Sequence, residues 1–117
     1  DGAAKLADSI QFYFTNRRII YIMGILKDKE VDKIILNTCD YADAIITVAA
    51  PGNPRAMSSC ELAEVVRRVH ENVTAADSPE EAVEMARLLA GKEDVIIAFG
   101  SLSFLGDIIR IAEKRQQ

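Results

Sequence analysis

Four short apolar stretches constrain this chain more than anything else in it. They are "RIIYIMGI" at 18–25, "AIITVAA" at 44–50, a shorter run around 72–76, and "DVIIAFG" at 94–100. Each has the length of a strand, and the longer ones are apolar at successive positions rather than alternate ones. A strand with one wet face alternates; a strand covered on both faces does not need to. Between these stretches the period changes to that of a helix. Ala3, Leu6, Ala7, Ile10 and Phe14 share one helical face over 3–14, and Val31, Ile34 and Ile35 share another over 29–38. Leu62, Val65, Val66 and Val69 fall at i, i+3, i+4 and i+7 behind Ser58 and Glu61, the two ends of a capping box. Ser78, Pro79 and Glu81 give a second box with proline at the first helical position, and Gly91 fits a left-handed stop after that helix. A last helix spans 102–115. The order α-β-α-β-α-β-α-β-α predicts an α/β fold of three layers, αβα and Rossmann-like. Its sheet is mostly parallel, with helices on both faces.

At 117 residues, half of them hydrophobic, residues 1–117 make one domain with a real core. No apolar run approaches the ~18–20 residues of a membrane span, and "DGAAKLADSI" is no secretory leader. A net charge of −4 argues against a nucleic-acid surface, which needs clustered lysine and arginine. Cys39 and Cys60 lack metal-ligand spacing and read as free, buried thiols. His70, the single histidine, reads as a solvated residue near the end of a polar helix face.

Ligands of parallel α/β sheets sit at the carboxyl ends of the strands, which nominates four loops. In Gly24–Glu30, Asp28 either caps a helix or faces a ligand or neighbouring domain, with Lys27 and Lys29 beside it. In "APGNPRAMSS", two prolines, Gly52 and Asn53 stiffen the chain ahead of Arg55. A guanidinium there can grip a carboxylate or phosphate with two hydrogen bonds, or simply be solvated. "ADSP" is accounted for by capping. At "GSLS", Gly100 permits a close turn, and Ser101 and Ser103 precede helix amides that favour an anion, though serine is also an ordinary N-cap. No Gly-x-x-x-x-Gly-Lys-Ser/Thr loop and no Gly-x-Gly-x-x-Gly occurs, and no complete catalytic set can be assembled. The residues alone describe an α/β domain that binds a small, anionic ligand.

Three segments carry a resemblance further: "DGAAKLADSI", "APGNPRAMSSCELAEVV" and "DSPEEAVEMARLLAGKEDVIIAFGSLSFLGDI". Together, in order and across essentially the whole chain, they resemble the carboxy-terminal domain of folylpolyglutamate synthase/dihydrofolate synthase, of the Mur ligase superfamily. The strand followed by Gly-Ser-Leu, an apolar or aromatic pair and Gly-Asp is the most specific part. Asn-Pro-Arg-Ala is shared more widely among Mur-type ligases.

The resemblance implies an ATP-dependent amide ligase that joins L-glutamate to a pterin-linked carboxylate through an acyl phosphate, with ATP and magnesium used by the full-length enzyme. It implies a larger amino-terminal ATPase domain bearing the phosphate loop, a cytoplasmic setting, and folate and glutamate as substrates. It implies no catalytic residue, metal or bound cofactor in this domain alone, and no activity for it alone. Ser101 matches the serine that helps to hold glutamate, and Arg55 the arginine of the Asn-Pro-Arg loop. Asp28 and Asn53 fall in loops facing the interdomain cleft. Gly52 stands where an aspartate is usual. An Asp-Gly-Ala-His-Asn-Pro motif and its strand are expected just ahead of Asp1, since Ala4 does not match that motif's histidine. A missing strand predicts an exposed sheet edge and self-association through it. The competing reading is a stand-alone flavodoxin-like binding or interaction module. The strand ends Gly24, Ala50 and Gly100 lack the acidic cluster that a receiver domain needs.

Overall fold

In a computed structural model the chain is described at residues 18–27, 33, 35–36, 39–50, 52, 54–91, 94–100 and 108–111, with 99–100 described in backbone only. The expected helix over 3–14 and most of the last helix lie outside these residues. Strands β1 (Ile19–Gly24), β2 (Ala44–Thr47), β3 (Val73–Ala75) and β4 (Val95–Gly100) form one sheet in the order β3-β2-β1-β4. All three pairings are parallel. Helix α1 (Ser59–Arg67) joins β2 to β3, and α2 (Pro79–Leu89) joins β3 to β4.

The successive apolar positions of β1 have the expected cause. All six of its residues are buried, because the sheet is covered on both sides. Ile19, Tyr21 and Met23 point into one cluster with Ile45 of β2 and with Leu62, Ala63 and Val66 of α1. Ile20 and Ile22 point into the other with Ala44 and Ile46, and with Ala82, Val83 and Ala86 of α2. The small alanines of α2 let its backbone approach the sheet closely. Each fully buried branched side chain contributes about 1.5–3 kcal/mol. Ile35, within the short helical pattern after β1, joins the α1 side, and Ile108 of the last helix joins the α2 side. The chain therefore has three layers, as expected.

Both helix starts carry their serine caps. The Glu61 amide donates to Ser58 Oγ at 3.1 Å, and the Glu81 amide to Ser78 Oγ at 3.1 Å. The reciprocal halves take other donors. Glu61 Oε1 accepts from the Ser58 hydroxyl at 3.2 Å, and Glu81 Oε1 from the amide of Asp77 at 3.0 Å.

Three expectations need correction. Gly91 is not in the left-handed region; among the described residues only Gly52 has positive φ, at 69°. α2 instead ends on Ala90 in an extended conformation, and Asp94 Oδ2 takes the Gly91 amide at 2.7 Å. The side chain replaces the left-handed turn as the stop. Cys60 is exposed rather than buried, because it lies on the outer face of α1; Cys39 is buried, and neither is in a disulfide. His70 is not simply solvated, since both ring nitrogens are engaged, as described below. The chain around 39–41 forms a 3-10 turn just past the expected helix, with Cys39 in the core.

Candidate functional site

The amino-terminal ends of the strands are closed by a polar network. Asp43 Oδ2 accepts from the Ile19 amide at 2.7 Å, while the Asp43 amide donates to Ile19 O at 2.7 Å. Asn72 Nδ2 donates to Asp43 O at 2.8 Å, and Asn72 O accepts from the Ile45 amide at 2.9 Å. The Asn72 amide donates to His70 Nδ1 at 3.1 Å. The hydrogen therefore lies on Nε2, which donates to Ala42 O at 2.7 Å. The one histidine thus ties the chain after α1 to the entry of β2, a structural task at the end of the sheet opposite the carboxyl ends of the strands. On the far side of β1, Arg18 Nη1 donates to Leu89 O at 3.1 Å and lies 3.7 Å from Asp94.

The carboxyl ends are arranged differently. The chain steps outward from β1 to β2 to β3 and then returns to place β4 on the other side of β1. That reversal makes a switch point between β1 and β4, the kind of place where open α/β sheets bind ligands. The cores agree with this: Ile35 after β1 packs on the α1 side, Ile108 after β4 on the α2 side. Gly24 and Gly100 are register partners, so the two strands end level at the switch point.

A feature absent from the sequence reading lies at this edge. The loop after β1 and the loop before α1 pair as a short antiparallel ribbon, centred on a bridge between Leu26 and Ala56. The Lys27 amide donates to Arg55 O at 2.7 Å, and the Met57 amide to Ile25 O at 3.0 Å. Apolar residues plug the ribbon into both cores: Ile25 and Met57 enter one cluster, Leu26 and Ala56 the other. The signal was present as Ile25-Leu26 and Ala56-Met57, apolar pairs inside loops otherwise rich in charge and turn residues. Gly52, at φ 69°, turns the chain ahead of the ribbon. Side chains rarely adopt that region, so glycine suits the position where relatives are expected to carry aspartate.

Arg55 is therefore an exposed residue on a backbone held at both sides. Of the four site residues expected from sequence, it is the one the structure describes; Ser101, Asp28 and Asn53 lie outside the described residues. Among the described residues no three carboxylate, thiol or imidazole groups gather as a cation site, so no step is assigned to a metal held by them. No described helix is long and apolar enough to cross a membrane. The Tyr21 phenol is pushed well above its ordinary range by burial, with Cys39 and Tyr41 adding to the shift. It belongs to the core.

A parallel sheet covered on both faces, with a switch point between β1 and β4 and Arg55 exposed on a braced loop at the carboxyl ends of the strands, defines an α/β domain of the doubly wound class. Residues 1–102 match the family described as Mur ligase, glutamate ligase domain, and the chain belongs to that family. It is 28% identical over 108 residues to the dihydrofolate synthase/folylpolyglutamate synthase of Bacillus subtilis (strain 168), covering 92% of this chain and 24% of that protein. Its fold superposes on E. coli FolC in complex with ADP, without folate substrate, with a TM-score of 0.86 and 21% identity over 97% of this chain and 26% of that one. The Yersinia pestis bifunctional folylpolyglutamate synthase/dihydrofolate synthase complexed with AMPPNP and Mn ion gives 0.82 and 20% identity over 95% of this chain and 26% of that one. The chain thus spans about a quarter of the length of the relatives it matches, and it resembles their carboxy-terminal domain.

Proposed function

We propose that this chain is the carboxy-terminal domain of an ATP-dependent ligase that adds L-glutamate to dihydropteroate or tetrahydrofolate. The single observation that carries the reading is the match of residues 1–102 to the glutamate ligase domain family. The reaction joins an activated pterin-linked carboxylate, an acyl phosphate, to the amino group of glutamate. The nitrogen attacks the acyl carbon, the carbon–oxygen bond to phosphate breaks, and an amide forms as the ammonium proton is lost. This domain's part is to seat glutamate and to close the cleft. Arg55 supplies a guanidinium for a glutamate carboxylate. Ser101 is assigned to hold the same substrate, and Asp28 and Asn53 to the loops of the interdomain cleft, by the family resemblance. ATP and magnesium are used by an amino-terminal ATPase domain of the same polypeptide, in the cytoplasm. The present domain alone is inactive, because catalysis needs both halves to align the reactants. An exposed sheet edge lets the isolated domain self-associate.

The test is Arg55→Ala and Ser101→Ala in the full-length enzyme. A charged hydrogen bond is worth about 1.5–3 kcal/mol. Removing Arg55 is therefore expected to raise the KM for glutamate roughly ten- to hundredfold, with the KM for ATP unchanged. An unchanged glutamate KM in both variants would return these loops to a purely structural role.

A further inference from the structure

Apart from the Tyr21 phenol and the Cys39 thiol, Thr47 carries the only buried polar side chain among the described residues. It is the last residue of β2, fully buried, with Met23 and Ala75 as register partners on its two sides. Its backbone carbonyl is used by the sheet edge, accepting from the Ala76 amide at 2.8 Å. Its hydroxyl does something else. Oγ1 donates to the carbonyl of Ser59, the first residue of α1, at 2.8 Å. β2 side chains alternate between the cores, and position 47 falls on the α1 side with Ile45. The hydroxyl therefore reaches the helix that follows the Arg55 loop. Valine would fill the same volume and suit a strand as well. A hydroxyl is needed here only for the bond.

That bond closes the segment 48–58 at its base. One end leaves Thr47, and the other enters α1 beside the Ser59 carbonyl. The middle is held by the ribbon to the β1 loop through the Lys27–Arg55 and Met57–Ile25 hydrogen bonds. Leu62, Ala63 and Val66 hold α1 against the sheet, and the Thr47 bond adds the directional tie that fixes its first turn relative to the end of β2.

We propose that Thr47 is a positioning residue for Arg55: its hydroxyl sets the height of α1 along the sheet and so the place of the guanidinium on the loop that leads into it. The inference rests on the reading that Arg55 faces the amino-acid substrate. Thr47→Val and Thr47→Ser in the full-length enzyme test it, with Arg55→Ala beside them. Misplacement of a binding group by a fraction of an ångström to an ångström costs on the order of tenfold or more. Thr47→Val is expected to raise the glutamate KM by about tenfold while the KM for ATP stays put. Thr47→Ser keeps the donor and is expected to restore the wild-type value. Thr47→Ala removes the donor without placing a methyl against the carbonyl, and serves if the valine variant does not fold. The inference is overturned if Thr47→Val and Thr47→Ala lower the melting temperature but leave the glutamate KM unchanged while Arg55→Ala raises it. It is overturned equally if Thr47→Ser is as impaired as Thr47→Val. If Arg55→Ala itself leaves that KM unchanged, the functional reading fails and this inference with it.

Discussion

At the scale of single residues, the polar groups of this domain divide by which end of the sheet they occupy. Asp43, His70 and Asn72 spend their hydrogen bonds on backbone at the amino-terminal ends of β1–β3. Removing one of them strands a donor or acceptor in a partly buried place, which costs about 1–3 kcal/mol. His70→Ala is accordingly expected to lower the denaturant midpoint without changing the slope of the transition. An unaltered midpoint would mean that water replaces the ring at no cost. Gly52 makes a second case. Alanine there meets no atom within 4 Å, but it must adopt φ 69°. Gly52→Ala should therefore destabilise by about 1 kcal/mol through conformation alone, with no steric contribution.

At the scale of elements, most of what was expected from pattern is present, and the departures have local causes. The serine caps and Pro79 set the helix starts, and Ser78→Ala should cost about 1 kcal/mol in thermal or chemical unfolding. Leu62, fully buried between α1 and the sheet, should cost about 2–5 kcal/mol when cut to alanine. A loss below 1 kcal/mol would mean that α1 settles into the space. The α2 stop escaped the sequence reading because Gly91 and Asp94 both fit it. A left-handed glycine would return its N–H to a carbonyl of the last turn; here the Gly91 N–H goes to Asp94 Oδ2 instead, with Asp94 held beside Arg18. The ribbon between 25–27 and 55–57 escaped for a different reason. Each side is too short to show a period, and only the meeting of two loops distant in sequence makes a bridge.

At the scale of the whole molecule, two predictions concern the sheet. Tyr21 lies in its centre with a raised pKa. Below about pH 10 the phenol is neutral in both folded and unfolded chains, and the burial costs nothing in charge. Above that value the unfolded chain ionises first and releases a proton that the folded one keeps, so stability falls as pH rises. Alkaline titration of the unfolding free energy should show this decline, and Tyr21→Phe should flatten it. A decline of the same steepness in the variant would assign it to other groups. The second prediction is self-association through a sheet edge. β4 lies at the end of the described strand order, and its Ile96 is 38% exposed, unlike any residue of β1. Sedimentation over rising concentration should show a dimer; a monomer throughout would reject it.

The sequence by itself determined the α/β alternation, the strands covered on both faces, the helix starts and the family, because each is written in local period, cap residues or contiguous motif. It also singled out Arg55, through the stiff loop ahead of it. It did not determine that β4 returns beside β1, which sets the switch point of the sheet. Nor did it determine that Arg55 is braced by the backbone of Lys27, that His70 is spent on Ala42, or that Cys60 faces solvent. Those depend on contacts between residues far apart in the chain. Such contacts exist only once the two apolar clusters have brought the strands and helices together, and no window of sequence contains both partners.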